Sequence, residues 1–195
     1  MDYTTRANVR ASLGAETTTD DALIDRLIIE ASRAIDKKVT GNPSVVDYFK
    51  SETKTDELLV GQVDQRGRIL CHPRKPVVTS VTVAAYRSDP RNDWVALNTD
   101  QITIDGYAVT LWADLMARGK MQVKLTYVGG FATSTSGLPG DIVNVGDVMT
   151  VRFYRELKSN LSDAIGVAEL GQFMYTKAWP VRALDMLKPY MRVIS

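Results

Sequence analysis

The sequence contains one cysteine, Cys71, and one histidine, His72, among its 195 residues. A single cysteine excludes a disulfide framework within the chain, and these two residues leave too few ligands for a zinc site of the usual type. No apolar run approaches the ~20 residues that cross a bilayer, so no membrane contact is expected. The first ten residues, MDYTTRANVR, lack the apolar segment of a secretion signal. Synthesis in a reducing cytoplasm is therefore expected.

The chain also lacks an excess of either charge, since 24 Lys and Arg residues face 23 Asp and Glu residues. No global field draws the protein onto nucleic acid or an acidic membrane. Phosphate contact would have to come from two local basic pairs, Arg66 with Arg68 and Arg74 with Lys75. No aromatic residues interleave with these pairs as a stacking surface for bases requires. A solvated sheet edge that resists pairing is the alternative interpretation.

The most regular stretch, TDDALIDRLIIEASRAIDKKVTG, has the pattern of one amphipathic helix. Thr18 or Thr19 can cap its start, and the final glycine can end it. Apolar residues fall on one face, while charged residues, including Asp36, fall on the other. Ile29 breaks this pattern because it lies among the charged residues. It is either one of the scattered apolar residues of any surface or a contact with another subunit.

The middle of the chain has the two-residue period of strands. Residues 121–128, MQVKLTYV, alternate cleanly and predict a half-buried strand. Asp105 and Gly106 supply the two residues of a type I′ hairpin turn. Further strands are expected at residues 57–60, 68–71 and 77–83. This part is predicted to be an antiparallel sheet or sandwich with one solvated face.

Helices are predicted both before and after the sheet segment in the sequence. A short helix, capped near Thr4 or Thr5 and ended by Gly14, precedes the amphipathic helix and folds back on it. The fold class is therefore α+β, with N- and C-terminal helices forming a small helical bundle. The predicted domains are the helical core of residues 1–44 and 139–195 and the inserted β subdomain of residues 45–138.

The C-terminal part begins with a helix after Pro139. Gly146 lies on its apolar side and would allow another backbone to approach closely. Pro180 begins a last short helix, and Pro189 limits its length. The main stripe of the first helix contains Ile142, Val145, Met149, Phe153 and Leu157. Its second, weaker apolar edge contains Val143, Val151 and Tyr154, and the apolar side of the last helix contains Val181, Leu184, Leu187 and Met191.

The sequence contains few of the residue patterns that form an active site. The glycine-rich segments lack the Lys-Ser or Lys-Thr that a phosphate loop requires. The available carboxylate pairs are Asp20 with Asp21 and Asp100 with Asp105, which a helix start and a hairpin explain better than acid–base catalysis does. His72 is more simply structural or solvent-facing. We therefore expect no enzyme activity, catalytic residue, metal site or cofactor.

Four motifs occur in an order that is itself informative. Together they cover most of the chain, and they resemble the head–tail connector, or adaptor, proteins of long-tailed bacteriophages. The middle β segment is longer than in the shortest members of that family. The motifs are DDALIDRLIIEASRAIDKKVTG, RGRILCHPRKPVVTSVTVAAY, VKLTYVGGFATSTSGLPGDIVNVGDVMTVRFYREL, and LKPY followed by Arg192.

The resemblance implies a structural virion protein at the head–tail junction. Copies are expected to form a ring, twelvefold by that resemblance, between the portal protein and a tail-completion or stopper protein. Viral DNA would pass through a central channel without sequence-specific binding. Residue types at the chain end fit an interface anchor. The expected portal-contact residues are Pro189, Tyr190, Met191, Arg192, Val193 and Ile194.

A ring of identical copies needs two different contact patches on each copy. We expect one patch around Ile29 and the other along the edge of Val143, Val151 and Tyr154. Two further interpretations are open. A tail-completion or stopper protein would also form a ring but would be more β-dominated. A hydrolase or carbohydrate-binding module would need a concave site with convergent polar groups, which the sequence does not indicate.

Overall fold

The computed structural model of the chain describes residues 1–14, 19–116, 119–158 and 179–191. Its contacts divide the chain into two compact units, one of Met1–Asp47 with Ser134–Ser195 and the other of Tyr48–Thr133. The described α-helices belong to the first, here called the helical unit, and the described β-strands to the second, the sheet unit. The α+β class predicted from the sequence is therefore confirmed.

The two N-terminal helices end where glycine was expected. Helix α1 spans Arg6–Leu13, and the Thr5 side chain caps it by accepting a hydrogen bond from the Asn8 amide. Helix α2 spans Asp21–Thr40. Gly14 and Gly41 follow these helices at φ 65° and 67°, the left-handed conformation that glycine adopts without strain.

The start of α2 differs from the prediction. The helix begins at Asp21, and the N-cap position belongs to Asp20, not to Thr19, while Thr18 lies outside the described residues. The Asp20 side chain makes no capping hydrogen bond. Its carboxylate instead accepts hydrogen bonds from Tyr154 and Lys158 of a later helix. The Asp20 side chain thus contacts residues that are distant in the sequence and does not cap its own helix.

The buried side of α2 is wider than its apolar stripe. Asp36, which the periodicity placed on the polar face, is only 2% exposed. The Tyr3 hydroxyl donates to its carboxylate, and the Asp47 backbone N–H donates to the other carboxylate oxygen at 2.8 Å. These bonds compensate for the loss of water around the buried carboxylate. The assignment of Asp36 to the exposed face was therefore wrong.

Helix α3, Gly140–Lys158, buries Ile142, Val145 and Met149 as the stripe predicts. A Cβ added to Gly146 would lie 3.2 Å from the backbone carbon of Tyr3, which confirms that another chain segment approaches closely there. Leu157, at the end of the stripe, is exposed. The stripe therefore loses contact with the core in the last turn of the helix.

Helix α4 spans Val181–Leu187 and continues into a 3₁₀ turn at Lys188–Tyr190. Ala183 and Leu187, four residues apart, are its buried side chains. Val181, which belongs to the predicted apolar side of this helix, is exposed. Helix α3 contacts α1, α2 and α4.

The sheet unit contains seven described strands in one antiparallel sheet. Their spatial order is β4-β3-β7-β1-β2-β6-β5, so β1 and β7 are central and β4 and β5 are edge strands. The strands are β1 Glu52–Val63, β2 Arg68–Cys71, β3 Val78–Arg87, β4 Val95–Leu97, β5 Ile102–Asp105, β6 Ala108–Trp112 and β7 Gly119–Gly129.

The sheet curls around one apolar core. Strand β7 alternates as predicted, with Met121, Val123, Leu125 and Tyr127 buried. The Val78 amide of β3 donates to the carbonyl of Gly106 between β5 and β6, with a donor–acceptor distance of 2.7 Å. Since β3 and β5 are far apart in the strand order, this hydrogen bond requires strong curvature.

The hairpin between β5 and β6 turns one residue later than predicted. Asp105 is paired with Ala108, so the loop residues are Gly106 and Tyr107. Gly106 has φ 52° at the first loop position, which is the position where a type II′ turn requires glycine. A type II′ turn requires the left-handed conformation only at its first loop residue, which is Gly106. Asp105 is therefore the last residue of the extended strand β5.

The segments where the chain enters and leaves the sheet unit lie side by side. The Phe131 amide donates to the Phe49 carbonyl at 2.8 Å, and the Ser51 amide donates to the Ala132 carbonyl at 2.7 Å. Gly130 lies between these bonds with φ 114°. We call this pair of segments the paired crossing.

Candidate interaction surfaces

The outer face of α2 carries the apolar residue that broke its pattern. Ile29 is 44% exposed. Arg26 and Glu30 beside it are exposed and approach to 3.7 Å, and Arg33 one turn later is also exposed. An apolar centre with a charged rim is a common composition for a protein contact.

The predicted edge of α3 is used largely within the chain. Val151 and Tyr154 are half-buried and pack against the cluster of Val9, Ile24 and Ile28 from α1 and α2. These contacts leave only part of each side chain for another subunit. Val143 is also half-buried. The assignment of this edge to a subunit interface stays a prediction.

The end of α3 is fixed to the start of α2 by charge. The Tyr154 hydroxyl and the Lys158 ammonium donate to the Asp20 carboxylate at 2.5 Å and 2.8 Å. The hydrogen bond from Lys158, followed by that from Tyr154, lowers the pKa of Asp20 below its usual value. The same contact raises the pKa of Tyr154. Tyr154 therefore remains a protonated donor that positions α3.

Two exposed apolar residues of α3 were missed as surface candidates. Val148 is exposed between polar positions, which is the same sequence signal that identified Ile29. Leu157 was assigned to the buried stripe but lies in the last turn and is exposed. Val148 is close in helical angle to Val151 and extends the predicted edge toward solvent.

The predicted portal-contact segment is described in part. Pro189 is exposed, and Tyr190 and Met191 are half-buried. They lie in and just after the 3₁₀ turn at the end of α4. Arg192, Val193 and Ile194 lie outside the described residues.

Most of the cations proposed for phosphate contact are paired with carboxylates. Arg68 contacts Asp64 at 2.5 Å and lies over the ring of Trp112, so an aromatic residue does accompany it. Arg74 contacts Glu57 at 3.5 Å. These pairs reduce the positive charge available to a phosphate backbone.

Lys75 differs most from the sequence-based interpretation, because its side chain is 5% exposed and not at a solvated edge. Its ammonium donates to the Glu52 carboxylate at 2.9 Å and to the Lys50 carbonyl at 3.1 Å. The side chain therefore ties the loop before β3 to the start of β1.

A cluster of polar groups surrounds Glu57 in the sheet unit. The Tyr127 hydroxyl donates to Glu57 at 2.7 Å and accepts from the Lys75 amide at 3.2 Å. The Arg74 amide also donates to Glu57. Burial is the main reason that the pKa of Tyr127 is raised, so the hydroxyl stays protonated. These groups hydrogen-bond one another, as expected for a structural network.

The carboxylate pairs also differ in their surroundings. Asp21 contacts Arg10 at 2.5 Å and Arg6 at 3.2 Å, and is thus held in ion pairs between α1 and α2. Asp100 and Asp105 are exposed and lie in separate elements. The ion pairs between α1 and α2 therefore explain the position of Asp21.

No cluster of His, Cys, Asp and Glu in the described ranges has the arrangement of a metal site. Cys71 is buried, and its thiol donates to the Val109 carbonyl. Burial raises the pKa of this thiol to about 12. The helices in the described part of the chain are too short or too polar to cross a membrane.

No protein-family model and no curated protein sequence matches the chain. Among solved structures, the chain is similar to one in the neck of an empty GTA particle computed with C6 symmetry. That match has a TM-score of 0.55 and 16% identity, and covers 97% of this chain and 89% of the other. A second match, in the virion of a native gene transfer agent (GTA) particle, has a TM-score of 0.47, 13% identity, and coverage of 93% and 82%.

Proposed function

We propose that this chain is a structural protein of the neck of a phage-like virion and acts there as a head–tail connector, or adaptor. Copies form a ring, expected to be twelvefold, between the portal and the tail-completion or stopper protein. Viral DNA passes through the central channel without sequence-specific binding. The role requires no catalysis, cofactor or membrane contact.

The observation that carries the proposal is a fold likeness over nearly the whole chain. It includes both the helices and the inserted sheet, since it covers 97% of the residues. The particle neck containing the similar chain was computed with C6 symmetry, and a twelve-membered ring contains a sixfold axis. The connector motifs in the sequence support the same role independently.

Within this role, residues 1–44 and 139–195 form the helical connector core and residues 45–138 form an inserted β subdomain. The near balance of charge and the pairing of Arg68, Arg74 and Lys75 with carboxylates favour a protein that lets DNA slide. The portal contact is assigned to Pro189, Tyr190, Met191, Arg192, Val193 and Ile194.

Removal of residues 189–195 is expected to abolish attachment to the portal, because the segment carries the proposed anchor side chains. The measurement is electron microscopy of the protein mixed with the portal protein of the same virion. The full chain should add a ring of density at the portal, and the truncated chain should not. Attachment that is unchanged by truncation would show that the portal contact lies elsewhere.

Replacement of Ile29 by aspartate is expected to raise the concentration at which rings form by at least about tenfold. The reason is that a carboxylate would be placed at a desolvated contact. Native mass spectrometry across a concentration series measures the effect. Val46→Asp is the matched control, since Val46 is exposed in the helical unit and has no assigned contact. Equal behaviour of the two variants would leave Ile29 as an ordinary surface residue.

A stopper or tail-completion protein is the alternative within the neck. The two roles differ in position, because a connector contacts the portal directly whereas a stopper binds one level further down. The portal-binding experiment distinguishes them. A hydrolase or carbohydrate-binding module is less consistent with the mutually hydrogen-bonded Glu57 cluster.

A further inference from the structure

The outer face of the sheet carries three neighbouring exposed aliphatic side chains. Leu58 and Val60 of β1 are 59% and 66% exposed, and Leu70 of β2 is 40% exposed. Leu58 and Val60 share a face because they are two residues apart in a strand. The pairing of Gln62 with Leu70 places Leu70 diagonally next to Val60. We call these three residues the aliphatic face.

A positive charge borders the aliphatic face. Lys124 of β7 is paired with Leu58 across the sheet, and its ammonium lies 5.2 Å from the ring centre of Trp94. No carboxylate in the described part of the chain pairs with it. The Arg68 charge on the other side is balanced by Asp64. A fitting partner therefore combines an apolar side chain with a carboxylate.

The turn between β5 and β6 has this composition. Tyr107 is 46% exposed, and Asp105 precedes it by two residues. Neither side chain forms a hydrogen bond or ion pair with the described residues. The Gly106 carbonyl accepts from the Val78 amide, so the turn is held in one position before any contact. Because the backbone of the turn is already held, less conformational freedom is lost when it binds.

The charge around the turn has the sign opposite to that of Lys124. Residues 88–116 contain five aspartates and one basic residue, Arg91. The turn lies at the edge of the sheet, while the aliphatic face lies on the central strand β1 and its neighbour β2. Two complementary surfaces at different places on one chain produce a head-to-tail contact, which is the kind of contact that a ring of identical copies requires.

We propose that the turn of one copy docks on the aliphatic face of the next copy. Tyr107 packs on Leu58, Val60 and Leu70, and the Asp105 carboxylate faces Lys124. The occupant is thus a second copy of this chain. The inference rests on the proposed ring and assigns it a second subunit contact, located in the sheet unit.

Charge reversal tests this contact. Lys124→Glu and Asp105→Lys should each raise the concentration at which the full chain self-associates, by at least about tenfold, because like charges then meet. The double variant should restore association close to that of the wild type. Arg182→Glu on α4 is the control for a change of surface charge. Circular dichroism checks that each variant is folded.

The outcomes separate this contact from the ring itself. Wild-type rings together with unaffected single variants would overturn the contact while leaving the connector role intact. Absence of wild-type rings, alone and with portal, would overturn the connector role and remove the basis for the contact. Loss of association that the double variant does not restore would also count against the Asp105–Lys124 pair.

Crosslinking provides a second test that leaves Tyr107 and Asp105 in place. Val60→Cys with Thr103→Cys should yield a ladder of disulfide-linked species under mild oxidation, because Thr103 lies on the same face of β5 as Asp105 and each copy carries both halves. Each single variant should yield no ladder. Cys71 does not compete, because it is completely buried and an oxidant or another thiol cannot reach it in the folded chain. Products limited to monomers and dimers would overturn the head-to-tail arrangement.

Discussion

Replacement of Gly130 by alanine is expected to lower the free energy of unfolding of the sheet unit by about 3 kcal/mol or more. Gly130 has φ 114°, a conformation that side chains with a Cβ rarely adopt. An added Cβ would lie 2.2 Å from the carbonyl oxygen of Lys50 and 2.6 Å from the amide nitrogen of Ser51. These are backbone atoms, so a rotamer change cannot relieve the clash.

The effect follows from the paired crossing, because Lys50 and Ser51 are fixed there. The Ser51 amide already donates to Ala132, and the Lys50 carbonyl already accepts from the Lys75 ammonium. Urea unfolding followed by tryptophan fluorescence measures the change. Gly140→Ala is the matched control, since no atom lies within 4 Å of its added Cβ and its φ is unexceptional. A Gly130 variant as stable as this control would contradict the explanation.

Replacement of Asp36 by alanine is expected to destabilise the helical unit by about 2–4 kcal/mol. The change leaves the Tyr3 hydroxyl and the Asp47 amide without the acceptor that they use in the folded chain. Tyr3 is completely buried, so water cannot replace the lost carboxylate without structural change. Thermal unfolding by circular dichroism at 222 nm, where helices dominate the signal, measures the effect.

Two further variants test whether the lost hydrogen bonds cause the loss of stability in Asp36→Ala. Asp36→Asn keeps an oxygen acceptor and should recover part of the stability. Glu30→Ala, on the exposed side of the same helix, should change the stability by less than about 0.5 kcal/mol. A loss as large for Glu30→Ala would indicate a general effect of helix composition.

Sequence patterns predicted the features of the fold that depend only on residues close together in the chain. The alternation of β7 and the glycines that end α1 and α2 were predicted because periodicity and the left-handed conformation are properties of short segments. Gly146 was also recognised, since a glycine within an apolar stripe indicates close packing. The burial of Asp36 could not be predicted in this way. Its partner Tyr3 is 33 residues away and is brought to it only by tertiary structure.

For the candidate surfaces as well, some features are visible in the sequence and others depend on tertiary structure. Ile29 was identified because an apolar residue among charged neighbours is visible in the sequence, and Val148 carries the same signal. The partial burial of Val151 and Tyr154 against α1 and α2 is not visible in the sequence, because it depends on how three helices pack. The pairing of Lys75 with Glu52 likewise depends on strand register.

The paired crossing also has a consequence for how such chains diversify. Because Phe49 and Phe131 are hydrogen-bonded neighbours, the 81 residues between them form a cassette whose two ends meet. Shortening, lengthening or exchanging a cassette of this kind leaves the distance between the flanking chain ends unchanged. A chain of this kind can therefore change in size within this segment while Phe49 and Phe131 stay side by side.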